Sequence, residues 1–202
     1  MSGVRESAVR ALIVALPLAA PGAYAGGAPL SPGQEPAGAH PSRQMADGKQ
    51  WMVENLSVET GTAHCYGDGN SSCRRYGRLY TWDSAQRACL ALGDGWRLPT
   101  DDEWRRLASS YGGVSEDAAD RGRAAYAALS KGGLSGFDAL LGGGRSPRGE
   151  YARLEAHGFY WTASATGAST ATYYNFGKGG PALHRQREGE KQWAFSVRCI
   201  RE

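Results

Sequence analysis

Between residue 50 and the C-terminal end, short runs of alternating apolar and polar positions are interrupted by stretches with a helical repeat. "QWMVENL" at 50–56 alternates, with Trp51, Val53 and Asn55 on one side and Met52, Glu54 and Leu56 on the other, and predicts a strand. "GRLYTW" at 77–82 is rich in aromatic and β-branched residues. In "DSAQRACLAL" at 83–92, Ala85, Ala88, Cys89 and Leu92 recur at three- and four-residue spacing, which predicts a helix with Cys89 on its buried face. "GWRLPTDDEW" at 95–104 places Glu103 three residues after Thr100, the spacing of a capping box in which hydroxyl and carboxylate each satisfy the other's backbone amide. Asp101 and Asp102 then fall in the first turn, where the helix dipole favours anions, and Trp104, Leu107 and Ala108 form the apolar stripe. A further helical stretch covers 115–131, with Ser115 as its cap, Tyr126 and Leu129 on one face, and Gly132 and Gly133 as its stop. After Gly133 the chain turns to short aromatic strands punctuated by glycine: "FDALLGGGR", "GFYWTAS", "TATYYNF" and "QWAFSVRCI". Helices followed by strands predict an α+β fold.

The N-terminal part has a different pattern. Arg5 and Arg10 frame the start of "ALIVALPLAA" at 11–20, and "AYA" at 23–25 supplies small residues before a cleavage point after Ala25. This is the signature of a secretory signal peptide over residues 1–25. Its apolar run is too short for the roughly 20 residues that span a bilayer, so no membrane span is expected. Residues 26–44 mix glycine, proline and small polar residues without an apolar period and predict a disordered linker. The folded domain is expected over 45–202, and the product is expected to be secreted, periplasmic or at the cell surface. The formal net charge of +3 is spread along the chain without a basic run, which argues against a nucleic-acid partner. In an oxidising compartment the four cysteines predict two disulfides. Spacing favours Cys65–Cys73 as a local bridge and leaves Cys89 to join Cys199.

Candidate chemistry is sparse. The acids at 101–103 have a structural explanation, His64, His157 and His184 are scattered, and the nucleophile-elbow pattern G-x-S-x-G does not occur. "GGGRSPRG" at 142–149 lacks the lysine and following helix of a phosphate loop, and the cysteines with His64 lack zinc-ligand spacing. "DGN" at 68–70 lacks the downstream acid of a calcium loop. No cofactor or metal is expected. Binding is expected on loops within 145–161 and 172–193, where aromatic, amide and arginine groups concentrate. The candidate contacts are Tyr173, Asn175, His184, Arg185 and Arg187, whereas Trp161, Phe176 and Phe195 are assigned to the core. Arg198 is expected to pair with an acid, and Trp96 and Arg97 to lock the turn before the capped helix.

Taken together, "WMVENL", "YGRLYTWDSAQRAC", "GWRLPTDDEW", "GFDALLGGGR", "GFYWTAS" and "FSVRCI" resemble the Fibrobacter succinogenes major paralogous (FISUMP) domain. The resemblance implies a C-type lectin-like fold, with two helices flanking a small twisted antiparallel sheet, related to the formylglycine-generating sulfatase-modifying factors. It also implies a cysteine of the first helix bridged to the last strand, which Cys89 and Cys199 match. The copper-binding cysteine pair of those oxidases has no counterpart before Cys199, and the "EPN", "QPD" and "WND" motifs of calcium-dependent lectins do not occur. The resulting expectation is a non-catalytic module that recognises a protein or glycan partner. An enzyme of the formylglycine-generating type and an envelope protein without a specific ligand are the alternatives.

Overall fold

The structure is a computed structural model and describes residues 40–202. The signal peptide expected at 1–25, and the linker as far as residue 39, lie outside the described residues. The domain starts earlier than the composition suggested. Strand β1 (Ser42–Gln44) pairs antiparallel with β2 (Gln50–Met52), and β2 pairs on its other side with β10 (Ile200–Arg201). The expected strand at 50–56 is cut short after Met52. Both Trp51 and Met52 are buried, because the sheet contacts one core on each side.

Among the described residues, four α-helices and two further sheets lie between the ends, giving a mixed α/β domain with more helices than the two that the resemblance implies. The hairpin β3 (Ala63–His64) and β4 (Leu79–Tyr80) encloses α1 (Asn70–Tyr76), and the bridge Cys65–Cys73 ties down the segment between them. Helix α2 (Trp82–Leu90) buries Ala85, Ala88 and Cys89, and Cys89 is bonded to Cys199. Both bridges are those that spacing favours.

Helix α3 (Asp101–Ser109) carries the capping box: Thr100 Oγ1 accepts from the Glu103 amide at 3.3 Å, and Glu103 Oε2 accepts from the Thr100 amide at 2.8 Å. The same carboxylate takes a two-pronged bond from Arg97 at 2.8 and 2.6 Å. Burial pushes the Glu103 carboxyl up, but the guanidinium and the Thr100 amide outweigh it and hold it down to about 2. Arg97 also reaches Glu202 at 3.0 Å, and Arg201 lies 4.7 Å over the Trp96 ring. Trp96 and Arg97 therefore fasten the turn before α3 to Arg201 and Glu202.

The expected helix over 115–131 is confined to α4 (Arg123–Leu129). Residues 114–122 form turns instead, and Asp120 takes the capping role expected of Ser115, its carboxylate accepting from the amides of Gly122 at 3.0 Å and Ala124 at 2.7 Å.

The main sheet has the order β6 (Tyr151–Leu154), β5 (Gly142–Arg145), β7 (His157–Ala165), β8 (Thr170–Gly177) and β9 (Ala182–Glu190). It is antiparallel except where β5 meets β7 at Gly143 and Gly158. Strands β6 and β9 lie in segments expected as loops. The last aromatic run, expected as one strand, exchanges partners every residue or two: Phe195 bridges Tyr80, Ala194 bridges Arg145 and Ser196 bridges Tyr160. No continuous ladder forms until β10.

Alternation along β7 and β8 sends side chains to two cores. Tyr160, Tyr174 and Phe176 join Trp104, Leu107 and Leu129 beneath α3 and α4. Trp161 and Ala171 join Ala85, Ala88, Cys89 and Val197 beneath α2. Arg198 crosses between the two without the expected acid. Its guanidinium donates to Asn55 Oδ1 at 2.6 Å and to the carbonyls of Met52 at 3.0 Å, Phe137 at 2.6 Å and Asp138 at 2.8 Å. Full burial favours its neutral form, and the four oxygens satisfy donors that would otherwise be stranded.

Candidate functional site

The five candidate contacts do not form one surface. Arg185 is turned inward from β9: Nε donates to Asp101 Oδ1 at 2.7 Å, Nη2 pairs with Asp101 Oδ2, and Nη1 reaches Glu116 at 3.2 Å. Tyr174 donates its hydroxyl to the same Asp101 at 3.1 Å. The hydrogen bond to Asp101 raises the Arg185 pKa further and commits the side chain to holding the start of α3 against the sheet. Asp101 is thus a tertiary anchor as well as an N-terminal acid, a role its position in the first turn does not disclose. His184 Nδ1 shares a 2.8 Å hydrogen bond with Ser115 Oγ. Among the described residues no carboxylate is hydrogen-bonded to that imidazole, so the pair lacks the orienting third member of a hydrolytic triad. Asn175 Oδ1 meets His157 Nδ1 at 2.9 Å, and Arg187 is exposed in the irregular part of β9. Among the described residues, no three His, Cys, Asp or Glu side chains converge as metal ligands.

Tyr173 has a different setting. It lines a groove of about 440 Å³ together with Phe159, Trp193 and Phe195, with Gly144 and Gly189 in its walls and Arg153, Glu188 and Glu190 also in its lining. The rings touch one another: Phe159 and Phe195 have centroids 5.0 Å apart, Tyr173 and Phe195 4.9 Å, and Trp193 and Phe195 6.0 Å. His157 stacks on the outer neighbour, Phe159, at 5.5 Å. Partial burial raises the Tyr173 pKa, so the phenol stays protonated as a donor.

Local sequence explains why a groove is there. A Cβ at Gly189 would lie 2.6 Å from the Tyr173 ring and 2.9 Å from Trp161, so only glycine lets β9 pass this close to the aromatics. The register shift between Ala171 and Tyr173 on β8 leaves an extra residue on β9 and brings Glu188 to the groove. Of the groove residues, Tyr173 is an expected contact and Phe195 an expected core residue that is indeed buried, while Phe159, Trp193 and the two acids carry no individual expectation.

A second cleft, of about 410 Å³ and lined by Arg75, Tyr76, Lys131, Glu155 and Lys178, uses much of its polarity internally. Glu155 pairs with Arg75 at 2.9 Å and accepts from the Tyr76 hydroxyl at 2.7 Å. The aromatic groove offers four ring side chains and charged residues that form no ion pair among the described residues, and is the stronger candidate for a ligand.

These features define a disulfide-bonded mixed α/β domain with a preformed aromatic groove on one sheet face. Residues 42–201 match the Fibrobacter succinogenes major domain (Fib_succ_major), and the chain belongs to that family. Comparison with curated proteins and with solved structures found no match.

Proposed function

We propose that this protein is an exported, non-catalytic binding module of the C-type lectin-like type that recognises a protein or glycan partner. The observation that carries the reading is the groove formed by Phe159, Tyr173, Trp193 and Phe195 on a scaffold stiffened by the Cys89–Cys199 bridge. Aromatic side chains offer large contact area at low entropic cost, and rigid strands remove most of the ordering that binding would otherwise require. Export is supported by the leader pattern at residues 1–25 and by the two disulfides. No helix among the described residues is long and apolar enough to cross a membrane.

Within this reading, Tyr173 is a contact residue, and Arg185 and His184 are supports for the scaffold. Screening the protein on glycan and peptide arrays, with Trp193→Ala as the control, tests the assignment. Binding that disappears in the variant supports it. Retention of full binding by Trp193→Ala, or loss on Arg185→Met with the fold intact, overturns the choice of groove.

A further inference from the structure

We infer that the groove receives a lysine or arginine side chain of a protein partner, its apolar stem against the aromatic rings and its cationic end beside Glu188 and Glu190. This rests on the groove being the binding site and adds the chemistry of its occupant.

The charges around the aromatics are the first ground. The residues around the groove include Glu188, Glu190 and Arg153, a formal balance of one net negative charge, although the chain as a whole carries +3. Among the described residues none of the three forms an ion pair. Lys191, the cation next to Glu190 in sequence, is engaged elsewhere. Lys191 Nζ donates to the carbonyls of Gly167 and Ala168, both at 3.0 Å, and sits 4.3 Å over Trp82. Arg145 packs at 5.5 Å over the Tyr151 ring. An incoming cation thus meets unneutralised carboxylates and the negative faces of aromatic rings together, and both attract it.

The order of groups across the groove is the second ground. Phe195 is buried, Phe159, Tyr173 and Trp193 are half-buried, and Glu188 and Glu190 are exposed. An apolar interior with acids at the mouth complements a side chain that has a methylene stem and a charged tip. A compact quaternary ammonium ion would place its charge among the rings, away from the acids. A neutral sugar would draw no benefit from the net charge.

The full chain should be titrated with a blocked tetralysine peptide, following tryptophan fluorescence and heat, with blocked tetraglutamine, choline and chitotetraose as comparison ligands. Tetralysine is expected to bind, to weaken by about tenfold in the Glu188→Gln/Glu190→Gln double variant, and to be lost in Trp193→Ala. Arg153→Gln should strengthen it, and added salt should weaken it. Near-UV circular dichroism of each variant checks that the fold is retained. If chitotetraose or choline binds with the same dependence on Trp193 while the Glu188→Gln/Glu190→Gln change has no effect, the lysine assignment falls and the binding-module reading stands. Tetralysine binding that ignores both Trp193 and the two acids overturns the inference as non-specific attraction. If none of these ligands reaches the groove, the inference falls, and an array binder insensitive to Trp193→Ala would then remove the groove reading as well.

Discussion

The two faces of the five-stranded sheet use the same residue types for different ends. On one face Trp104 is stacked on Tyr174 at 4.9 Å and surrounded by Trp51, Phe137 and Tyr160, and it is fully buried. On the other, α2 covers only one end of the sheet, around Trp161 and Cys89, and leaves Phe159, Tyr173 and Trp193 partly open. An aromatic cluster becomes a core where helices close over it and a recognition surface where they stop short. The number of aromatics does not distinguish the two outcomes; the reach of the covering element does.

That contrast can be broken in several ways. The covalent bridge stands beneath the half-covered face, so Cys89→Ala/Cys199→Ala, which opens a loop spanning 110 residues, should lower stability by about 4–5 kcal/mol. Removing Cys65–Cys73, with a separation of 8, should cost about 2–3 kcal/mol in the same chain-entropy terms. Urea denaturation of the two variants measures the difference. Trp104→Ala should cost about 3–5 kcal/mol, since the closed face cannot collapse around the missing indole. Gly189→Ala, which forces Tyr173 aside, should cost about 1–3 kcal/mol and also narrow the groove, so that melting temperature and ligand affinity fall together.

A pH series probes the closed face through Glu103. Its folded-state pKa, about 2, lies below the ordinary value of 4.5, so its contribution is present above pH 4.5 and is lost as pH falls from there towards 2. Stability measured across that window should fall steeply in the parent protein and less steeply in Glu103→Gln, which keeps the cap geometry without the charge. Trp193→Ala should cost less than Trp104→Ala, about 1–2 kcal/mol, because Trp193 is only partly buried and Trp104 fully. A loss on the scale of Trp104→Ala would show that the open face is core after all.

Features fixed by neighbouring residues were legible in the sequence. The capping box at Thr100 and Glu103 declares itself by spacing alone, and the buried face of α2 follows from the recurrence of Ala85, Ala88 and Cys89. Strand β9 was hidden because "HRQREGE" carries polar groups on an edge strand and an irregular register interrupts its alternation. Arg185 read as a surface contact since its partner, Asp101, lies 84 positions away and had a sufficient local role. The groove was half visible: Tyr173 stood out, but nothing in the sequence says that Trp193 and Phe195, on a segment that changes partners at each step, come to rest beside it. The expected family was legible because its motifs are spread in order along almost the whole domain.

The placement of β10 beside β2 has a consequence in time. A chain made from its N-terminal end exposes Trp51 and Cys89 long before Ile200 and Cys199 exist to meet them. Cys65 and Cys73, eight positions apart, can pair as soon as both have emerged, whereas the native partner of Cys89 follows 110 positions later. The short bridge therefore needs only a local stretch of chain, and the long one needs nearly the whole of the domain. A copy truncated before Cys199 leaves Cys89 without its native partner, open to mispairing with Cys65 or Cys73.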